Sequence, residues 1–446
     1  MSAPLSRKPL LVTLVFLCVV GSTSVLLFMR RHDDVPRYRF GRLKERPLTG
    51  EIASLEKEVA IKPRAFLLAE LAGLYFHQGR VTGDPSWFDK AEAVGNRSLE
   101  LIPSPNPARL TLAEIADAKH EFTRAIKLAT IAMVDKPGAG PLTVLVTSHL
   151  ALGNYGEAAS FAEQLVEYIP SSSSLLTRGL VFAAQGREEE ALFDFRRAAK
   201  LEDIGDPEGG ARLRALWGRL LTRRGEYRMA KALFEESLRV SPGNHLAMGL
   251  EGEMELRRGN YAAAEKYLLD AFTSSKQLRY LIKYGKAKTL SGDTTAALDI
   301  YDRAEKLVRQ DLQRGASGHR LELIEILTER GTPENVKEAI LLAKEETKIR
   351  RNPETYYLLA KSYALLGEWL PAMEAMERAM SSGIRDPEYY LLAGQIEQAR
   401  KFWPRAAFYF ELALKVDPTF KKAIRAKKRF RENPANAPLV LAMATE

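Results

Sequence analysis

GRLLTRRGEYRMAKALFEESLRVSP, residues 218–242, is the stretch whose reading decides the fold. Gly218 falls in an apolar run of helical period made by Leu213, Leu216, Trp217, Leu220 and Leu221. Gly225 stops that helix. Tyr227, Ala230, Leu233, Phe234 and Leu238 then form the apolar face of a second helix, and Pro242 ends it. Two short helices joined by a tight turn can bury both apolar faces only against neighbours of the same kind.

The chain supplies those neighbours. From Ala65 onward an aromatic residue or its substitute recurs after each inter-helix turn, followed three residues later by Ala. The pairs are Phe88/Ala91, Phe122/Ala125, Tyr155/Ala158, Glu188/Ala191, Tyr227/Ala230, Tyr261/Ala264, Thr294/Ala297, Val336/Ala339, Trp369/Ala372 and Trp403/Ala406. All but two of the intervals are 33 or 34 residues. Gly153, Gly186, Gly225, Gly259, Gly292 and Gly367 suit the left-handed turn between the helices, and Lys401 takes that place in the last copy. Alanine lets helix backbones approach, large apolar residues fill the gaps, and Pro103, Pro137, Pro170, Pro242 and Pro418 close units.

This pattern resembles the tetratricopeptide repeat, with ten copies over residues 65–418. The resemblance implies an all-α fold, a right-handed α-solenoid of about ten helix pairs, with a concave groove lined by the first helix of each pair. Three stretches lengthen the period. RVTGDPSWF (80–88) extends the first turn, EDIGDPEGG (202–210) is a glycine-rich break, and residues 305–320 extend a helix and add a loop. TPEN (332–335) lengthens the eighth turn. The break at 202–210 reads as neutral decoration, a bend or a docking loop. Residues 51–64 form an amino-terminal capping helix, with Ile52, Leu55 and Val59 on one face. Residues 419–432 form a basic carboxyl-terminal cap with Phe420 and Ile424 turned toward the last repeat, and 433–446 form a flexible tail.

The first fifty residues read differently. After a short basic tail (1–9), Leu10–Met29 is twenty residues without a charge, long enough as a helix to span about 30 Å. It reads as a transmembrane signal-anchor. A cleaved signal peptide with Gly21–Ser24 as its cleavage region is the competing reading, but the apolar run resumes at Val25–Met29. The following linker, 30–50, carries Arg30, Arg31, Arg37, Arg39, Arg42 and Lys44, a set suited to anionic lipid headgroups or to a solvated flank. More basic residues follow the apolar segment than precede it. The positive-inside rule therefore favours a cytoplasmic body, and the short amino tail also admits an extracytoplasmic one. An anchor followed by such an array resembles membrane-anchored bacterial repeat proteins of the lipopolysaccharide assembly protein B type. That type's carboxyl-terminal four-cysteine metal module has no counterpart here, because the single cysteine is Cys18.

The net charge of +9 on 446 residues belongs to the ends: residues 1–46 hold nine Lys/Arg against three Asp/Glu, and 420–446 hold seven against two. The remainder holds 50 basic and 52 acidic residues, so charge gives the body no reason to bind nucleic acid. No phosphate-binding glycine loop, dinucleotide fingerprint, His-Glu-x-x-His or Gly-x-Ser-x-Gly occurs, and the six histidines are dispersed. Neither enzymatic chemistry nor a cofactor nor a metal is expected. The groove is the candidate site. Arg212, Arg219 and Arg223 in the fifth copy, Arg257 with Glu253 opposing in the sixth, and Arg279, Lys283 and Lys286 in the seventh give it a basic centre. Leu110, Val144, Leu150, Leu176 and Leu180 give it an apolar amino half. The reading is a membrane-anchored scaffold for partner proteins with acidic segments, in envelope assembly or secretion. The alternative is nucleic-acid or anionic-lipid binding by the basic ends, including Lys421, Lys422, Arg425, Lys427, Lys428, Arg429 and Arg431.

Overall fold

The structure is a computed structural model and describes residues 35–40, 48–313 and 317–432. The apolar segment 10–29, the tails 1–9 and 433–446, and Arg30, Arg31, Arg42 and Lys44 lie outside the described residues. The chain divides into two units, Met1–Arg37 and Tyr38–Glu446. Of the first, only 35–37 are described, and Arg37 is exposed there. Among the described residues no helix is long and apolar enough to cross a membrane.

Among the described residues the second unit contains twenty-two α-helices and no strand. A cap, α1 (Thr49–Ile61), precedes ten helix pairs. The first five are α2 (Ala65–Thr82) with α3 (Ser86–Leu101), α4 (Ala108–Ala118) with α5 (Phe122–Asp135), α6 (Ala139–Leu152) with α7 (Tyr155–Tyr168), α8 (Ser172–Ala184) with α9 (Glu188–Lys200), and α10 (Pro207–Arg223) with α11 (Tyr227–Val240). The second five are α12 (His245–Arg258) with α13 (Tyr261–Ser275), α14 (Leu278–Ser291) with α15 (Thr294–Gln313), α16 (Arg320–Arg330) with α17 (Pro333–Ile349), α18 (Pro353–Leu365) with α19 (Trp369–Met380), and α20 (Pro387–Ala399) with α21 (Trp403–Val416). A last helix, α22 (Lys421–Glu432), closes the array.

Local chemistry sets the boundaries. Asp206, Asn244, Thr332 and Asn352 cap their helices by accepting a backbone N–H, and Pro207, Pro333 and Pro353 occupy first turns where the missing donor costs nothing. TPEN is therefore a cap and a first turn, and the eighth linker is short: Gly331 ends α16 with φ 71° and Thr332 starts α17. Where glycine is absent, His120 and Lys401 still adopt the left-handed conformation, at φ 61° and 64°.

Within pairs, close approach is bought with a missing Cβ. At Gly218 a Cβ would fall 2.6 Å from the Phe234 ring, so the glycine of α10 admits the aromatic of α11. Gly179 with Phe195, Gly285 with Tyr301 and Gly394 with Phe410 repeat this contact at the same sixteen-residue spacing. The carboxyl cap is corrected in detail: Phe420 and Phe430 are buried against the last pair, whereas Ile424 is exposed.

The array also packs against itself between distant pairs. Arg351 N–H donates to the Leu152 carbonyl (2.8 Å), and Asn352 Nδ2 donates to the Ala151 carbonyl (2.7 Å). The Gly186 turn abuts Gly383, and Tyr227 Oη donates to Asp417. Turns of the third, fourth and fifth pairs thus meet elements five pairs further on, and this closes the inner face into a cavity.

Candidate functional site: a charged inner cavity

The cavity measures about 1470 Å³ and is lined mainly by first helices from both halves of the array. On α10, Arg212, Arg219 and Arg223 are separated by seven and four residues, so they share one face over about 16 Å. The opposite face of α10 is held in the core by Leu213, Leu216, Trp217, Leu220 and Leu221. Arg219 and Arg223 line the cavity. Arg212 does not; it lies where Arg80 and Asp117 act on it electrostatically.

The predicted basic centre is corrected by what faces it. Arg257 reaches Asp386 with both guanidinium ends (3.1 and 3.2 Å), and Arg279 pairs with Glu253 (3.1 Å). Lys283 pairs with Glu325 (2.5 Å), and Lys286 (3.2 Å) shares Glu329 with Lys361 (2.7 Å). The lining holds twelve Lys/Arg and twelve Asp/Glu, so the cavity as a whole is balanced. Of these carboxylates, Glu322, Glu325 and Glu329 come from α16, Glu354 from α18 and Glu388 from α20. The apolar half is corrected too: Val144 and Leu176 are buried in the helix packing, while Leu150 and Leu180 do line the cavity.

Of the lining cations without an ion-paired carboxylate, Lys276 and Arg303 are exposed and lie beside Phe272, and the other two are Arg219 and Arg223. Among the described residues, Arg219 and Arg223 have no hydrogen-bonded or ion-paired carboxylate, and Arg223 Nε is buried without an acceptor. Arg219 is open to the water of the cavity yet surrounded by protein. That burial, with Arg223 and Arg279 adding repulsion and Glu253 opposing it, pulls its guanidinium down to about 10. Elsewhere pairing wins. Burial pushes the Glu388 carboxyl up, but Arg257, Lys422 and Lys286 outweigh it and hold the group at about 2. Burial raises the Glu354 carboxyl, and Lys283 offsets only part of that. Tyr357 and Tyr389 stack beside these charges with centroids 4.7 Å apart.

Sequence reasoning brought together Arg219, Arg223, Glu253, Arg257, Arg279, Lys283 and Lys286 and missed their partners. The signal was present, since Glu325, Glu329, Glu354 and Glu388 also lie on first helices. It also missed a junction at the second turn, where His120 and His319 have ring centroids 6.1 Å apart and Arg350 Nη2 donates to the Gly318 carbonyl (2.8 Å). Of the linker residues, Arg39 is exposed and donates to the Lys200 carbonyl. On the carboxyl cap, Arg425, Lys428, Arg429 and Arg431 are exposed, whereas Lys427 pairs with Glu411 (3.1 Å) and Lys422 reaches the cavity. Among the described residues no group of three His, Cys, Asp or Glu side chains is placed to hold a metal ion.

No curated protein matches the chain. A solved structure similar to it is the crystal structure of the yeast Tom70, at 12% identity and a TM-score of 0.36, covering 87% of this chain and 94% of that one. The family model of the tetratricopeptide repeat matches residues 143–207 and 216–278, which run from the third helix pair to the first residue of the seventh. Those two stretches are therefore tetratricopeptide repeats, set in an array that is all-helical among the described residues.

Proposed function

We propose that this protein is a non-catalytic scaffold that holds an acid-bearing segment of a partner protein in its inner cavity, with Arg219 and Arg223 taking the carboxylates. One observation carries the reading: Arg257, Arg279, Lys283, Lys286 and Lys361 each have a carboxylate, and Arg219 and Arg223 have none. Confined guanidinium groups without counter-charges favour a ligand that supplies them. The uncharged segment 10–29 anchors the scaffold at a membrane with the body in the cytoplasm, and envelope assembly or secretion suits an anchored, non-catalytic array. The opposite topology would place the same cavity on the other side.

The test uses full-length protein in detergent and a fluorescent glutamate-rich peptide, with its glutamine analogue as control. Replacing Arg219 and Arg223 with Gln should weaken binding by at least about tenfold, since charge-assisted hydrogen bonds are each worth about 1.5–3 kcal/mol. Replacing the exposed Lys428 and Arg429 should change nothing. Equal binding by the Arg219/Arg223 variant would remove the proposal, and loss confined to the cap variant would favour the basic-end reading. Reporter fusions at the carboxyl terminus decide the topology.

A further inference from the structure

Residues 201–206 link α9 to α10, the rest of the glycine-rich break 202–210 forms the first turn of α10, and a segment of the chain's own amino-terminal region packs against it. Tyr38 is 5% exposed. Its ring covers Gly210, where a Cβ would fall 2.7 Å from a ring carbon, and the Arg214 guanidinium sits 5.7 Å from its centroid. Arg214 is itself fully buried and paired with Glu202. Backbone and side chain of Tyr38 are both read: its N–H donates to Glu236 (2.8 Å), its hydroxyl donates to the Asp203 carbonyl (2.6 Å), and its carbonyl accepts from Arg239 (3.4 Å). Arg39 donates to the Lys200 carbonyl. Phe40 meets the Tyr38 ring edge-on, centroids 5.5 Å apart, and both pack with Ala211 and Val240.

The equivalent positions at the ends of other second helices show what the segment does. Leu101, Tyr168 and Leu201, each ten residues after the repeat alanine, are 51%, 59% and 46% exposed. Val240 holds the same position on α11 and is 6% exposed, in the apolar cluster with Tyr38 and Phe40. Among the described residues the segment is short and its contacts are largely polar, so the entropy of ordering it offsets much of what its hydrogen bonds contribute. Such a segment opens locally without global unfolding.

We infer that the seam between the fourth and fifth helix pairs is a peptide-binding seat for a Tyr-Arg-Phe tripeptide, filled reversibly by the chain's own Tyr38–Phe40. The insertion 202–210, a loop followed by the first turn of α10, is the docking element for this segment. Gly210 leaves room for the ring, Arg214 and Val240 form its walls, and Glu236 and Asp203 fix its polar groups. Occupied, the seat holds the chain at the middle of the array as well as at α1. Vacated, it takes a peptide of the same aromatic–basic–aromatic chemistry.

Trypsin reads the seat directly, because the Arg37–Tyr38 and Arg39–Phe40 bonds lie at and within the seated segment. In full-length protein in detergent, cleavage there should be slow, and at least about tenfold faster in Tyr38→Ala and in Gly210→Ala. Gly210→Ala favours the helix while filling the seat, and Tyr38→Ala leaves the seat intact, so circular dichroism identifies whichever variant is folded and that one decides. Wild-type cleavage rates in a folded variant would overturn the inference. A labelled Val-Pro-Arg-Tyr-Arg-Phe-Gly peptide should bind the Tyr38→Ala protein saturably, at least about tenfold more tightly than wild type or the Tyr38→Ala/Gly210→Ala double variant. No binding, or equal binding to all three, would overturn recognition by the seat.

Discussion

Arg257 and Asp386 face each other across the inner cavity and join with two parallel hydrogen bonds although 129 residues separate them. The pair ties the sixth helix pair to the tenth. Asp386 also caps α20 by accepting the Glu388 N–H (2.9 Å), a bond that asparagine can make equally well. Asp386→Asn therefore removes the charge and keeps the cap. It should cost about 2–3 kcal/mol in chemical denaturation and enlarge the radius seen by solution X-ray scattering. A wild-type radius would mean that the backbone contacts between distant pairs keep the cavity closed unaided.

Turn glycines separate into two kinds. Gly186 has φ 73° and abuts the Gly383 backbone, whereas Gly292 has φ 96° and nothing within 4 Å of a built Cβ. Gly292→Ala pays only for the left-handed backbone, about 1–2 kcal/mol. Gly186→Ala pays that and the collision, about 2–4 kcal/mol in all. Equal denaturation midpoints for the two variants would show that the contact between distant pairs yields freely.

His245 gives the body a specific acid sensitivity. Burial, with Arg279 and Arg212 adding repulsion, lowers its imidazole to about 4, and Nδ1 lies 3.1 Å from Tyr280 Oη. Its unfolded value is near 6.5, so the unfolded chain takes up the proton first. Stability from this site is full above pH 6.5 and is lost as the pH falls toward 4, by about 2 kcal/mol at pH 5. His245→Gln should flatten that part of the stability-against-pH curve. An unchanged slope between pH 7 and 5 would assign the sensitivity to other groups.

The carboxyl cap closes the array through Phe430 rather than Ile424. Phe430→Ala should cost about 3–5 kcal/mol and speed hydrogen exchange chiefly in α20 and α21. Ile424→Ala, at a residue 44% exposed, should stay within about 0.5 kcal/mol. Comparable losses from both variants would contradict the packing described for this helix.

The helix pairs were legible because their signals are local. The Tyr227/Ala230 marker, Gly225 and Pro242 act through neighbours three to sixteen residues away, and their recurrence located the pairs. Half of the cavity chemistry was legible for the same reason: Arg219 and Arg223 share a helical face at a spacing visible in the chain. Ile424 was placed inward by periodicity alone, and Phe430, one and a half turns further along, took the buried place. The TPEN turn looked like an insertion because its proline and threonine were read as loop residues rather than as a first turn and its cap.

The sequence by itself determined the repeating helical hairpin, because period, turn glycine and closing proline are properties of short segments. Only the tertiary structure decided that Arg257 is neutralised by Asp386, that Gly186 must lack a side chain against Gly383, and that Tyr38 lies in the 202–210 break. Each of these depends on how small rotations between successive pairs accumulate until distant parts of the array touch. No local pattern encodes the residues that meet there.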